Sequence, residues 1–92
     1  MIKKIRDFFR SEKEITQHEA AFILAKKTNN ISRGWLFELA DNRRAKALKD
    51  VGTIPFEKKG IYVFYRKGDI EAVAYALKCA EDAKTKPVKL FP

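Results

Sequence analysis

The feature that most constrains this chain is a change of hydrophobic period past its midpoint. Up to Asp50 the apolar residues recur at three and four, the spacing of one helix face. Between Ile54 and Tyr65 they form short β-branched and aromatic runs broken by Pro55 and Gly60, and from Ile70 helical spacing returns. A fold that mixes helices with a small β element satisfies both periods.

The helices have readable ends. Ile2, Ile5, Phe8 and Phe9 lie at helical spacing among charged residues, which predicts a short amphipathic N-terminal helix over 2–10, within an N-terminal unit of 1–14. A helix this short is marginal alone and needs something to dock on. Its apolar stripe is too short to make a membrane surface its expected partner. Thr16-Gln17-His18-Glu19 has the pattern of a capping box, opening a helix over 17–27 with Ala20, Ala21, Ile23 and Leu24 on its apolar face. Lys26 and Lys27 suit its C-terminal dipole, and Thr28-Asn29-Asn30 is a stop, since Asn tolerates the left-handed conformation. Ser32 is placed to cap a second helix with Leu36, Leu39 and Ala40 inward and Arg33, Phe37 and Glu38 elsewhere. Asp41-Asn42 interrupts that pattern, so 32–50 is open to being one helix or two. Val51-Gly52-Thr53 ends it.

Next, Ile54–Glu57 and Ile61–Tyr65 read as the strands of a hairpin, with Lys58-Lys59-Gly60 as its turn. Asp69 suits the N-cap or the first turn of a last helix over about 70–83, where Ile70, Val73, Ala74, Leu77 and Ala80 repeat at three and four. Pro87 and Pro92 mark an irregular tail over 84–92. The expected architecture is one domain over 1–92, mainly α with a small β-hairpin. Its core spans 15–83 and its element order is that of a winged helix-turn-helix with an added N-terminal helix.

Composition narrows the function. Hydrophobic residues make up 46 % of the 92 residues, which argues against disorder. No apolar run approaches a membrane span, and no apolar h-region follows the N-terminal lysines, so the cytoplasm is the default compartment. With a single cysteine, Cys79, and a single histidine, His18, neither a disulfide nor a cysteine-rich zinc site is available. No glycine-rich phosphate loop is present, and Glu81-Asp82 point apart on a helix. Cys79 is expected as a buried, inert thiol on the apolar face of the last helix, and His18 on the surface. No enzyme, cofactor or metal is expected.

The net charge of +8 calls for a polyanion. It is uneven: residues 1–68 carry 16 bases and 8 acids, whereas residues 69–92 carry 4 of each. Ile15-Thr16…Glu19-Ala20-Ala21…Leu24, Ile31-Ser32-Arg33…Leu36 and Ile54-Pro55…Gly60…Tyr65-Arg66-Lys67-Gly68-Asp69-Ile70-Glu71-Ala72 follow one another in order. Over residues 15–75 this resembles the excisionase-type winged helix-turn-helix domains, relatives of the MerR-type DNA-binding domain. The chain departs from that pattern in a longer turn, Lys26–Asn30, and a longer segment from Asp41 to Thr53. The resemblance implies a small bacterial or phage transcription regulator, or a recombination directionality factor of a mobile element, acting on nucleoid DNA.

In that scheme Ser32, Arg33, Gly34 and Phe37 stand at the start of a recognition helix whose N-terminal residues meet base edges. Arg33 is the candidate for a bidentate guanine contact. Ser32 and nearby amides suit a phosphate, and Gly34 permits close backbone approach. Arg43 and Arg44 suit phosphates beyond the groove, and Lys58 and Lys59 sit at the wing tip with Arg66 and Lys67 behind. Trp35, Tyr62, Phe64 and Tyr65 read as core more readily than as stacking platforms. The expected partner is double-stranded DNA, bound as a homodimer or by cooperative neighbours, because one small module reads few base pairs. The alternatives are a protein adaptor of the same fold, anchored on Phe8, Phe9 and Val88–Pro92, and an RNA-binding protein.

Overall fold

Thr16 does two jobs in the computed structural model, which describes residues 9–43 and 51–91. It ends strand β1 (Glu14–Thr16) and caps helix α1 (Gln17–Thr28). Its hydroxyl accepts from the Glu19 amide at 3.2 Å, and the Glu19 carboxylate accepts from the Thr16 amide at 3.3 Å. This is the expected capping box. At the other end Asn29 adopts the left-handed conformation with φ 54°, and its amide reaches back to the last helical carbonyls. The buried face of α1 is Ala20, Ala21 and Leu24, with Ile23 only partly covered.

A 3₁₀ turn, Ile31–Arg33, follows, and helix α2 runs Trp35–Arg43. Residues 44–50 lie outside the described residues, as does the choice between one helix and two over 32–50. Strands β2 (Phe56–Lys59) and β3 (Tyr62–Arg66) form an antiparallel hairpin, and helix α3 (Lys67–Ala83) completes the set. Among the described residues the result is a small α+β domain of three helices and a three-stranded antiparallel sheet, its order β1-β3-β2. The third strand was not expected. β1 pairs with β3 through Glu14↔Arg66, Ile15↔Tyr65 and Thr16↔Phe64.

The expected amphipathic helix over 2–10 falls almost wholly outside the described residues. Residues 1–8 lie outside the described residues, but 9–13 are irregular and Glu14 is already strand. The start of α3 explains this. A helix leaves its first amides without internal acceptors. Here the Lys67 amide donates to the Lys13 carbonyl at 2.8 Å and the Gly68 amide to Ser11 at 3.0 Å. The strap 9–13 therefore does the work of a cap, and α3 starts at Lys67, earlier than expected, with Asp69 as an acid of its first turn. Gly68 is required by this approach, since a Cβ there would lie 2.4 Å from the Phe9 carbonyl oxygen.

The core gathers Leu24, Leu39, Ile54, Tyr65, Ile70 and Val73, all fully buried. Each large aliphatic contributes about 1.5–3 kcal/mol over an exposed one. Ile54 belongs to this core and not to the hairpin, because Asn42 holds it. The fully buried Asn42 amide donates to the Ile54 carbonyl at 2.9 Å and accepts from its N–H at 2.6 Å. The hairpin turn accordingly falls at Gly60-Ile61, with Gly60 at φ 63°, and Lys58 and Lys59 are strand residues. The tail is irregular but anchored. Leu90 and Phe91 are buried, and both amides donate to the Val51 carbonyl at 3.0 Å. They are thus not available as anchors for another protein. Cys79 is exposed beside Tyr75, one turn away, and so does not sit on the buried stripe of α3. Among the described residues no helix is long and apolar enough to cross a membrane.

Candidate nucleic-acid interface

The residues singled out in the sequence separate into two groups in space. Strand register divides the hairpin lysines. Lys58 is opposite Val63 and leaves the sheet on the core-facing side, at the rim. Lys59 is opposite Tyr62 on the outer side, where its ammonium contacts both Glu14 carboxylate oxygens at 2.9 and 3.0 Å and lies 5.4 Å from the Phe64 ring. The hydrogen bond to Glu14 raises the Lys59 pKa. Arg66 is more firmly held. Its guanidinium donates to Glu12 at 3.1 Å, to Asp69 at 2.9 Å and to the Phe9 carbonyl at 3.1 Å. Burial works against its charge, but Glu12 and Asp69 prevail and raise its pKa. Lys67 is half-buried at the first position of α3. Lys59 thus ties β2 to β1, and Arg66 ties the sheet to the strap and to α3.

The start of α2 also differs from expectation. Ser32 does not cap the helix. It is exposed in the 3₁₀ turn, and its hydroxyl donates to the Asn30 side chain at 3.3 Å. Gly34 precedes the helix with φ 75°, and its carbonyl accepts from Phe37 and Glu38. A Cβ at Gly34 would meet only Phe37, at an ordinary 3.7 Å, so its left-handed backbone accounts for glycine there better than a need for space. Arg33 stands outside the helix. It donates to both Glu38 carboxylate oxygens at 2.5 and 2.9 Å, and its guanidinium carbon lies 4.4 Å from the centre of the Trp35 ring. Trp35 is core, as expected, and its indole N–H donates to the Asn30 carbonyl at 2.8 Å.

What α2 presents instead is apolar. Phe37 is 81 % exposed, Ile31 85 % and Phe22 65 %, and Leu36, expected inward, is also exposed. They line a groove of about 350 Å³ between α1 and α2, floored by Ala21, Ala25 and Gly34. His18 forms one end of that groove and also lines a second cleft of about 250 Å³, with Arg43, Ile61, Tyr62 and Val63. The two clefts make one continuous face from the turn before α2 to the hairpin tip. Phe37, Gly34 and Arg43 share it; Lys58 lines neither cleft but lies on the same side of the sheet as Val63, and Arg44 lies outside the described residues. Phe22, Ile31, Leu36, Ile61 and Tyr62 are the members that sequence reasoning missed. Phe22 carried a signal, because it falls off the Ala20-Ala21-Leu24 stripe of its own helix.

Among the described residues, no group of His, Cys, Asp and Glu could hold a metal ion. No protein-family model, curated protein or solved structure matches the chain significantly, so its function is argued from its own residues.

Proposed function

We propose that this protein binds duplex DNA as a winged helix-turn-helix module, with α2 as the recognition helix and the β2–β3 hairpin as the wing. The observation that carries this is the continuous face. It joins the exposed first turn of α2 to the hairpin tip and includes Arg43, with Lys58 on the same side of the sheet as Val63. An exposed second helix of a helix-turn-helix is the element that enters a major groove, and basic residues beyond it fix the register on phosphates. The chain's charge of +8 supports a polyanionic partner. On this basis the protein is a small regulator or excisionase-like factor acting on nucleoid DNA, bound as a dimer or by cooperative neighbours.

Binding of the full chain to a mixed-sequence duplex across a salt series tests this. Affinity should fall steeply as salt rises, because phosphate contacts release counterions. Binding that is absent at low salt, or indifferent to salt, contradicts it. One observation favours a second reading, a protein adaptor: contiguous exposed apolar residues such as Phe22, Ile31 and Phe37 are common at protein interfaces. Self-association or partner capture through this face, without DNA binding, would establish that reading.

A further inference from the structure

We infer that the DNA-facing surface selects its site through methyl groups, with Phe37 as the specificity-determining residue and the C5-methyl of thymine as its target. This rests on the DNA-binding reading above.

The base-contacting cation expected from the sequence is engaged elsewhere. Arg33 is held in a fork by Glu38 and stacked over Trp35, and a guanine contact would require breaking both. In its place the first turn of α2 presents Phe37, flanked by Leu36 and Ile31. N-terminal residues of a recognition helix are those that reach base edges. The major groove offers a single apolar group at those edges, the thymine methyl, and aromatic or aliphatic side chains discriminate by covering it. The surroundings favour a groove floor between phosphate walls over an uncharged protein surface. The Lys26 ammonium lies 5.9 Å from the Phe22 ring, and Arg43 stands beyond His18. The centre of the face is apolar and its rim carries cations.

Two pools of duplexes with the same randomised core, one made with thymine and one with uracil, provide the probe. The full chain selects from each at fixed low salt. The best thymine duplex is then compared with its uracil twin. The selected sites should be rich in A·T pairs, and the uracil twin should bind about three- to fivefold more weakly for each contacted thymine. Phe37→Ala should bind both twins equally while keeping its circular dichroism spectrum, since Phe37 lies outside the core. Salt-dependent binding with no difference between twins overturns this inference and leaves the DNA-binding reading intact. A thymine preference that survives in Phe37→Ala also overturns it. Retention of neither pool at low salt overturns both.

Discussion

Two regions of this molecule invert the ordinary rule of apolar inside and polar outside, in opposite directions. In the interior, at the end of α1, at the end of α2 and at the start of α3, polar groups are buried: Thr28, Asn42 and Asp69 are all at least 95 % covered. Each has a partner. Asn42 spans both polar groups of Ile54, Asp69 accepts from Arg66, and Thr28 donates to the Leu24 carbonyl. On the face between α1 and α2, apolar groups are exposed, and nothing among the described residues covers Phe37 or Ile31. Satisfied buried polar groups fix a unique arrangement of the chain. Exposed aromatics do nothing for the fold and are available to a partner. Neither the count of bases nor the count of apolar residues distinguishes these roles; the partners of each group do.

The largest expected effect belongs to the buried side. Asn42→Leu keeps the branched shape but leaves the Ile54 N–H and carbonyl without the Asn42 amide, so urea unfolding should show a loss of about 2–5 kcal/mol. A loss below about 1 kcal/mol would mean that Ile54 finds other partners and that this contact is not what fixes the segment after α2. Arg66→Ala comes next. It frees the strap and leaves the Asp69 carboxylate short of a donor, at a cost of about 1–3 kcal/mol after allowance for the partial exposure of the guanidinium. Its hydrogen-exchange signature should be faster exchange of the Lys67 and Gly68 amides.

Smaller effects separate the two hairpin lysines. Lys58→Ala should reduce the slope of log affinity against log salt by about 1. Lys59→Ala, whose charge is paired with Glu14 on the outer side, should leave the slope nearly unchanged. Equal effects would erase the distinction between the two sides of the hairpin. The smallest effect is alkaline. Burial raises the pKa of the Tyr65 hydroxyl, which donates to the Leu39 carbonyl at 3.3 Å. The folded chain therefore holds that proton more tightly than the unfolded chain. The corresponding stability is intact below about pH 10 and falls as pH rises through the folded value. Thermal melts of Tyr65→Phe at rising pH should lack part of this decline.

Much of the fold was legible because it is local. Thr16 and Glu19 form their box within one turn, Asn29 ends α1 by its own conformation, and Ile70, Val73 and Leu77 declare the buried face of α3 by spacing alone. What was hidden depends on partners distant in sequence. β1 exists because Ile15 pairs with Tyr65, and α3 starts at Lys67 because Ser11 and Lys13 accept its first amides. For the same reason the candidate site was read only in part. Phe37 is exposed on α2, and Lys58 is exposed on the same side of the sheet as Val63. The fork from Arg33 to Glu38 depends on a left-handed Gly34 that detaches Ser32 and Arg33 from the helix. A helix-period reading that begins at Ser32 misplaces both, and it turns Leu36 inward.

Amide chemical shifts of the 92-residue chain, titrated with a short duplex at low salt, test most directly the proposal that DNA binds the face from α1 and α2 to the hairpin tip. The expected perturbations concentrate at Ile31–Asp41, Arg43, Lys58 and Ile61, while Glu12, Glu14 and the exposed side of α3 remain silent. Perturbations centred on α3 or on the outer side of the sheet, or none at all, would contradict the account.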